Sequence, residues 1–207
     1  MDDLPRRELA GRWPMGGQDA LRDRLMSAYN DPTRGYHDLT HLAEVLTHID
    51  ELTDPAADRT AVLLAAWFHD AVYDDQGDLE DRSARLAEES LTAAGSDPGL
   101  VAEVARLVRL TRTHRPEPDD QDGEVLCDAD LAILAAQSER YAAYVAGVRR
   151  DYAYVDEVAF RAARGAVLRE LVGRTTLFHT PLARERWEGP ARVNIARELA
   201  ELAELDG

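Results

Sequence analysis

Lysine is missing from this 207-residue sequence, and all 24 basic residues are arginine. That absence excludes a Walker A loop, a lysine Schiff base and a lysine general base, since each needs the amine itself. A GxGxxG loop and a GxSxG nucleophile elbow are missing too. A lone cysteine, Cys127, excludes an internal disulfide and fits a reducing compartment. There is no run of about eighteen apolar residues, and the N-terminus has no secretory hydrophobic region. No membrane partner is therefore expected, and the expected location is cytoplasmic. Basic charge is scarce beside acidic: 40 acidic residues set the net charge at −16. Such a field repels polyanions, so duplex nucleic acid is not an expected partner; small anions fit only where a metal or an arginine cluster reverses the sign locally.

Sustained period-two alternation is also lacking, which predicts an all-α chain. The length suits one substantial core, hence a single domain over residues 1–207 with a loose lead-in over 1–16. The stretch around which the rest is arranged is residues 61–75, AVLLAAWFHDAVYDD. Val62 to Phe68 leave no polar face, so the segment reads as a helix buried all round, opened by Asp54-Pro55 as N-cap and first helical residue. His69 and Asp70 stand inside that apolar run. A buried imidazole and carboxylate need a partner, and a bound cation is the simplest one.

Helical spacing is found over residues 18–29, with Leu21, Leu25 and Met26 inward, and again after Arg34-Gly35-Tyr36-His37, where Leu42, Val45, Leu46 and Ile49 form an apolar face. His37 and His41 lie four apart and would share a face on a helix. Further helices are expected over 79–94, 100–110, 124–136, 139–154, 156–172 and 191–205, with breaks at Gly173 and Thr180-Pro181. Residues 113–123 read as a polar surface loop. The acidic loop 74–78 does not fit a calcium-binding EF-hand: with Gly77 at the sixth position, Val72 and Ser83 fall where carboxylates are required.

Lined up, the unusual residues are His41, then His69-Asp70, then Asp130, each in or beside an apolar helix. With the segments PTRGYHDLTHL, AAWFHDAVYD, DLEDRSA, CDADLAIL, VRRDY and ARVN, the series resembles the HD superfamily of metal-dependent phosphohydrolases, and more narrowly one bacterial branch of it. The resemblance runs from roughly residue 28 to residue 198. It implies an all-helical HD-domain bundle with His41, His69, Asp70 and Asp130 as metal ligands; a swap of Asp130 with Asp128 stays open. Two neutral imidazoles and two carboxylates give a divalent metal four mixed N/O ligands and cancel its charge, which suits Mn, Fe, Co, Ni or Zn, with Mg as a further option, as one or two ions.

The resemblance further implies hydrolysis of a small phosphate ester, a nucleotide or related phosphometabolite, by attack of a metal-activated water. Asp74, Asp75, Asp78 and Glu80, on the loop that leaves the buried helix, are the candidates for the general base. His37 is placed to contact substrate or donate a proton. His114 falls where dinuclear members carry an extra histidine, so a second-metal or substrate role is open beside that of a surface-loop residue. Arg34, Arg164 and Arg192 are candidates to bind phosphate, Arg34 foremost. His48 is about 10 Å along a helix from His41, too far to share a metal, and it joins His179 and Cys127 as structural. The alternatives to a hydrolase are a metal- and nucleotide-sensing module without turnover and a dinuclear-iron oxygenase. The arginine- and tyrosine-rich helix over 138–154 leaves a homo-oligomeric interface open.

Overall fold

The apolar spacings fold as helices. The computed structural model describes residues 4–52 and 58–204. In chain order these form α1 (Leu4–Gly11), α2 (Asp19–Tyr29), α3 (Leu39–Leu52), α4 (Arg59–Phe68), α5 (Leu79–Ala93), α6 (Pro98–Leu110), α7 (Gln121–Leu131), a 3-10 turn (Ala132–Ala135), α8 (Ser138–Asp151), α9 (Glu157–Val172) and α10 (Pro181–Glu204). Among the described residues there is no strand, and the chain is all-α. No helix is long and apolar enough to cross a membrane. The contacts divide the chain into two compact units, Met1–Pro32 with His37–Asp130 and Thr33–Tyr36 with Leu131–Gly207.

In the first unit α4 is the core. Every residue from Ala61 to Phe68 is buried, and α3, α5 and α6 pack around it. Its polar start is met locally: Asp58 accepts hydrogen bonds from the Thr60 and Ala61 amides at 3.0 and 3.2 Å, the N-cap arrangement that satisfies otherwise orphaned donors. The Asp54-Pro55 start signal lies outside the described residues.

The stretch expected as a loose lead-in is instead anchored. It contains α1, with Leu9 buried. Arg12 donates to the Leu46 carbonyl, Thr47 and Asp50, and Trp13 packs edge-on against Trp67 with ring centroids 5.2 Å apart. Single contacts of this kind leave no periodicity to read.

In the second unit the 3-10 turn lies between α8 and α10, and α9 packs on α10. Asn194 of α10 donates to the Leu134 and Ala136 carbonyls at 2.8 and 2.9 Å. The buried Glu198 accepts from Tyr141 at 2.6 Å and from Arg164 at 2.7 and 3.1 Å. The short segment Thr33–Tyr36 docks on α8: Asp151 accepts from the Gly35 and Tyr36 amides, and Arg150 donates to the Gly35 carbonyl at 2.8 Å.

Thr180-Pro181, expected as a break, begins the last helix. Proline suits the first helical position because its missing N–H is unused there, and Thr180 Oγ1 accepts from the Ala183 amide at 3.3 Å. α10 therefore starts ten residues before the expected 191 and runs through Pro190; the expected last residue, Leu205, lies outside the described residues.

Candidate metal centre

The centre begins with the way α4 ends. A helix leaves its last four carbonyls without intrahelical partners. Here the His69 amide takes the Ala65 carbonyl at 2.8 Å and the Ala71 amide takes that of Phe68 at 2.9 Å. Side chains satisfy the Ala66 carbonyl instead, with His69 Nδ1 at 2.8 Å and the Tyr29 hydroxyl donating from 3.3 Å. Because a carbonyl only accepts, His69 carries a proton on Nδ1, which leaves Nε2 as the nitrogen whose lone pair a metal would take. A bond of this kind orients metal-binding histidines.

His41 sits in the first turn of α3, where Asp38 accepts from the Thr40 and His41 amides at 2.7 and 3.2 Å. Its Nε2 lies 3.1 Å from Nε2 of His69. Asp130, next to last in α7, brings Oδ1 to 3.2 Å from the first nitrogen and 3.6 Å from the second. Asp70 Oδ2 stands 3.4 and 3.0 Å from the same two atoms. Both imidazoles are buried, at 2 % exposure. Donor atoms of His41, His69 and Asp130 all fall within 4.8 Å of one another, and the three can hold a metal ion.

The donor chemistry fits a divalent cation. Two imidazole nitrogens this close repel unless a proton or a metal lies between them, and the two carboxylates supply a charge of −2. The titration behaviour of the metal-free cluster reflects the same demand. Burial pulls His41 down, but hydrogen bonds to Asp130 and Asp70 outweigh it and the net shift is upward. His69 is likewise opposed by burial and raised well above the ordinary value by Asp70, Tyr29 and Asp130. Burial pushes Asp70 and Asp130 up, yet His69 above all holds each well below the usual carboxylate range.

Around this group the expected residues separate. His114 reaches it: its Nε2 is 2.8 Å from Asp130 Oδ2, so the carboxylate faces His41 and His69 with one oxygen and His114 with the other. His114 is a non-glycine residue in left-handed backbone, φ 48°, a conformation that costs about 1–3 kcal/mol and is kept where neighbours enforce it. His37 also lies beside the centre, but from the turn before α3 and not from its helical face. Its ring is 5.6 Å from that of His41 and stacks on Tyr73 at 4.4 Å.

The acidic loop is engaged elsewhere. Arg82 clamps Asp74 with two bonds of 2.6 Å, and the carboxylate is lowered to about 2, mainly by that bond. Asp78 pairs with Arg112 at 2.8 Å, and Glu80 meets the same arginine at 3.5 Å. These pairings weigh against Asp74, Asp78 and Glu80 as bases: an arginine engages each carboxylate, and Asp74, lowered so far, holds a proton poorly. Asp75 is exposed.

Asp128 is wholly buried and is not among the three residues, His41, His69 and Asp130, whose donor atoms converge. Arg34 belongs to the second unit. Arg164 pairs with Glu198, and Arg192 ties Glu188 to the carbonyls of Val172, Arg174 and Thr175; both serve structure there. His48 faces Glu51 at 3.8 Å, and Cys127 is buried. Sequence reasoning missed Tyr29, which sits at the end of a helix with no pattern to mark its hydroxyl. No family model matches this chain, and no curated protein or solved structure matches it either.

Proposed function

We propose that the protein is a metal-dependent phosphohydrolase acting on a small phosphate ester, a nucleotide or related phosphometabolite, as its resemblance to the HD superfamily implies. The observation that carries the metal half of this reading is the meeting of His41 Nε2 and His69 Nε2 at 3.1 Å between the carboxylates of Asp70 and Asp130. His41, His69, Asp70 and Asp130 would hold a divalent transition metal such as Mn, Fe, Co, Ni or Zn. When bound, that ion supplies Lewis-acid polarisation of a phosphoryl oxygen and an acidified water.

The chain's own residues do the rest. The Ala66 carbonyl keeps the His69 proton on Nδ1. His114, partly exposed and bonded to Asp130 Oδ2, is placed to hydrogen-bond a phosphate or pass on a proton. His37 and Tyr73 offer an aromatic edge against which substrate can orient. The phosphohydrolase half rests on the motif series and the net charge, which favours small substrates over polyanions.

The test is metal content of the wild type beside Asp70→Ala, followed by phosphate release from p-nitrophenyl phosphate and from nucleotides with added Mn. About one or two metals per chain, lost in the variant together with phosphate release, supports the reading; a wild type that cannot be loaded with any divalent metal overturns it. The engagement of Asp74, Asp78 and Glu80 by arginine favours one second reading, a module that binds metal and nucleotide without turnover. Metal-dependent nucleotide binding with no product would select it.

A further inference from the structure

We infer that Tyr29 is a positioning residue of the metal centre, its hydroxyl fixing both members of the His69-Asp70 pair from a different helix. The inference rests on the reading of the cluster as a metal site and goes beyond it by assigning a role outside the ligand set. Tyr29 is the last residue of α2 and has no exposed surface. Its hydroxyl has one proton to give and gives it to the Ala66 carbonyl at 3.3 Å. It has lone pairs to offer and accepts the Asp70 amide at 3.2 Å. The Ala66 carbonyl is the acceptor that sets the His69 tautomer, while the Asp70 amide belongs to the first residue past the cap, where helical bonding has stopped.

The geometry gives the phenol two separate effects. By sharing the Ala66 carbonyl with His69 Nδ1, it holds that oxygen in place at the frayed end of α4, where a loose carbonyl would release the ring. By accepting from the Asp70 amide, it fixes the peptide plane from which the Asp70 carboxylate swings toward His41 and His69. The ring packs 6.4 Å from that of His69, tilted at 46°, so the imidazole also has a wall. Phenylalanine in the same place keeps the wall and loses both bonds.

The experiment compares wild type, Tyr29→Phe and Tyr141→Phe in the full chain. Tyr141 supplies a control, since its buried hydroxyl bonds Glu198 in the second unit. Affinity for Co²⁺ is measured by chelator competition, with the visible absorption of the bound ion recorded, and melting of the metal-free proteins is followed in parallel. The expected result is a loss of about 10- to 100-fold in Co²⁺ affinity for Tyr29→Phe, the range for groups that orient ligands, with an altered absorption band. Tyr141→Phe should melt at lower temperature with wild-type Co²⁺ affinity. Wild-type affinity and spectrum in Tyr29→Phe, whatever its melting temperature, would overturn the inference while leaving the metal reading intact. A wild type that binds no Co²⁺ would overturn both. Should Tyr29→Phe fail to fold, Tyr29→Met removes the same hydroxyl with a flexible filler and is held to the same outcomes.

Discussion

Asp130 shows its two oxygens to different histidines: Oδ1 lies 3.2 Å from His41 Nε2, and Oδ2 lies 2.8 Å from His114 Nε2. One carboxylate thus joins the buried imidazole pair to a partly exposed imidazole. Asp128, two residues earlier, points out of this arrangement because successive helical residues turn by about 100°.

Asp130→Ala is therefore expected to abolish metal retention, while Asp128→Asn, which keeps the side-chain volume, should retain the wild-type metal stoichiometry at some loss of stability. Elemental analysis after dialysis separates the two. Equal metal loss in both variants would show that Asp128 belongs to the ligand set.

The cluster predicts a pH dependence with a definite sign. Imidazoles whose folded values are raised above 6.5 stabilise the metal-free protein fully below about pH 6.5, and that contribution disappears as the pH rises through the folded values. Asp70 and Asp130, held low, act in the opposite direction: their contribution is present above about pH 4 and lost as the pH falls through their depressed values. Metal-free protein should melt at lower temperature as pH increases upward from 6.5 through the folded histidine values, and Mn affinity should rise over the same window because binding displaces protons from imidazole. A Mn affinity that does not change with pH across that window would contradict the assignment.

Asp74→Asn should leave phosphate release unchanged. The Arg82 clamp holds this carboxylate at about 2, and removing a true general base costs about 100-fold or more. A loss of that size in steady-state turnover would return Asp74 to the mechanism.

Gly35 and Gly147 meet with their backbones in contact in the second unit. A Cβ added at Gly35 would stand 2.1 Å from the Gly147 carbonyl oxygen, and one at Gly147 would stand 2.8 Å from that of Gly35. Backbone on both sides cannot yield, so Gly35→Ala should destabilise by about 1–3 kcal/mol, as overpacking does. Urea unfolding measures it, and a wild-type midpoint would show that the segment can lift off α8.

Much of the helical layout was legible because it depends on local spacing. The burial of α4 followed from Val62 to Phe68 having no polar side, and the strangeness of His69-Asp70 followed from that burial. The rest depends on contacts that helical spacing does not carry. The α1 segment is held by Leu9, Arg12 and Trp13 through individual long-range contacts. Pro181 reads equally as a stop or as a first helical residue until the Thr180 cap is seen. The docking of Thr33–Tyr36 on α8 pairs residues more than a hundred positions apart.

For the centre, the sequence by itself determined the inventory: two histidines and acidic partners set in apolar helices, in a charge background hostile to polyanions. Only the tertiary structure decided which of them meet. The choice of Asp130 over Asp128, the approach of His114 through a strained backbone, the capture of Asp74 by Arg82, and the hold of Tyr29 on the His69-Asp70 pair are contacts between separate segments. Helical periodicity encodes which side of a helix faces inward, but the partner on the far side of the core is fixed by packing alone.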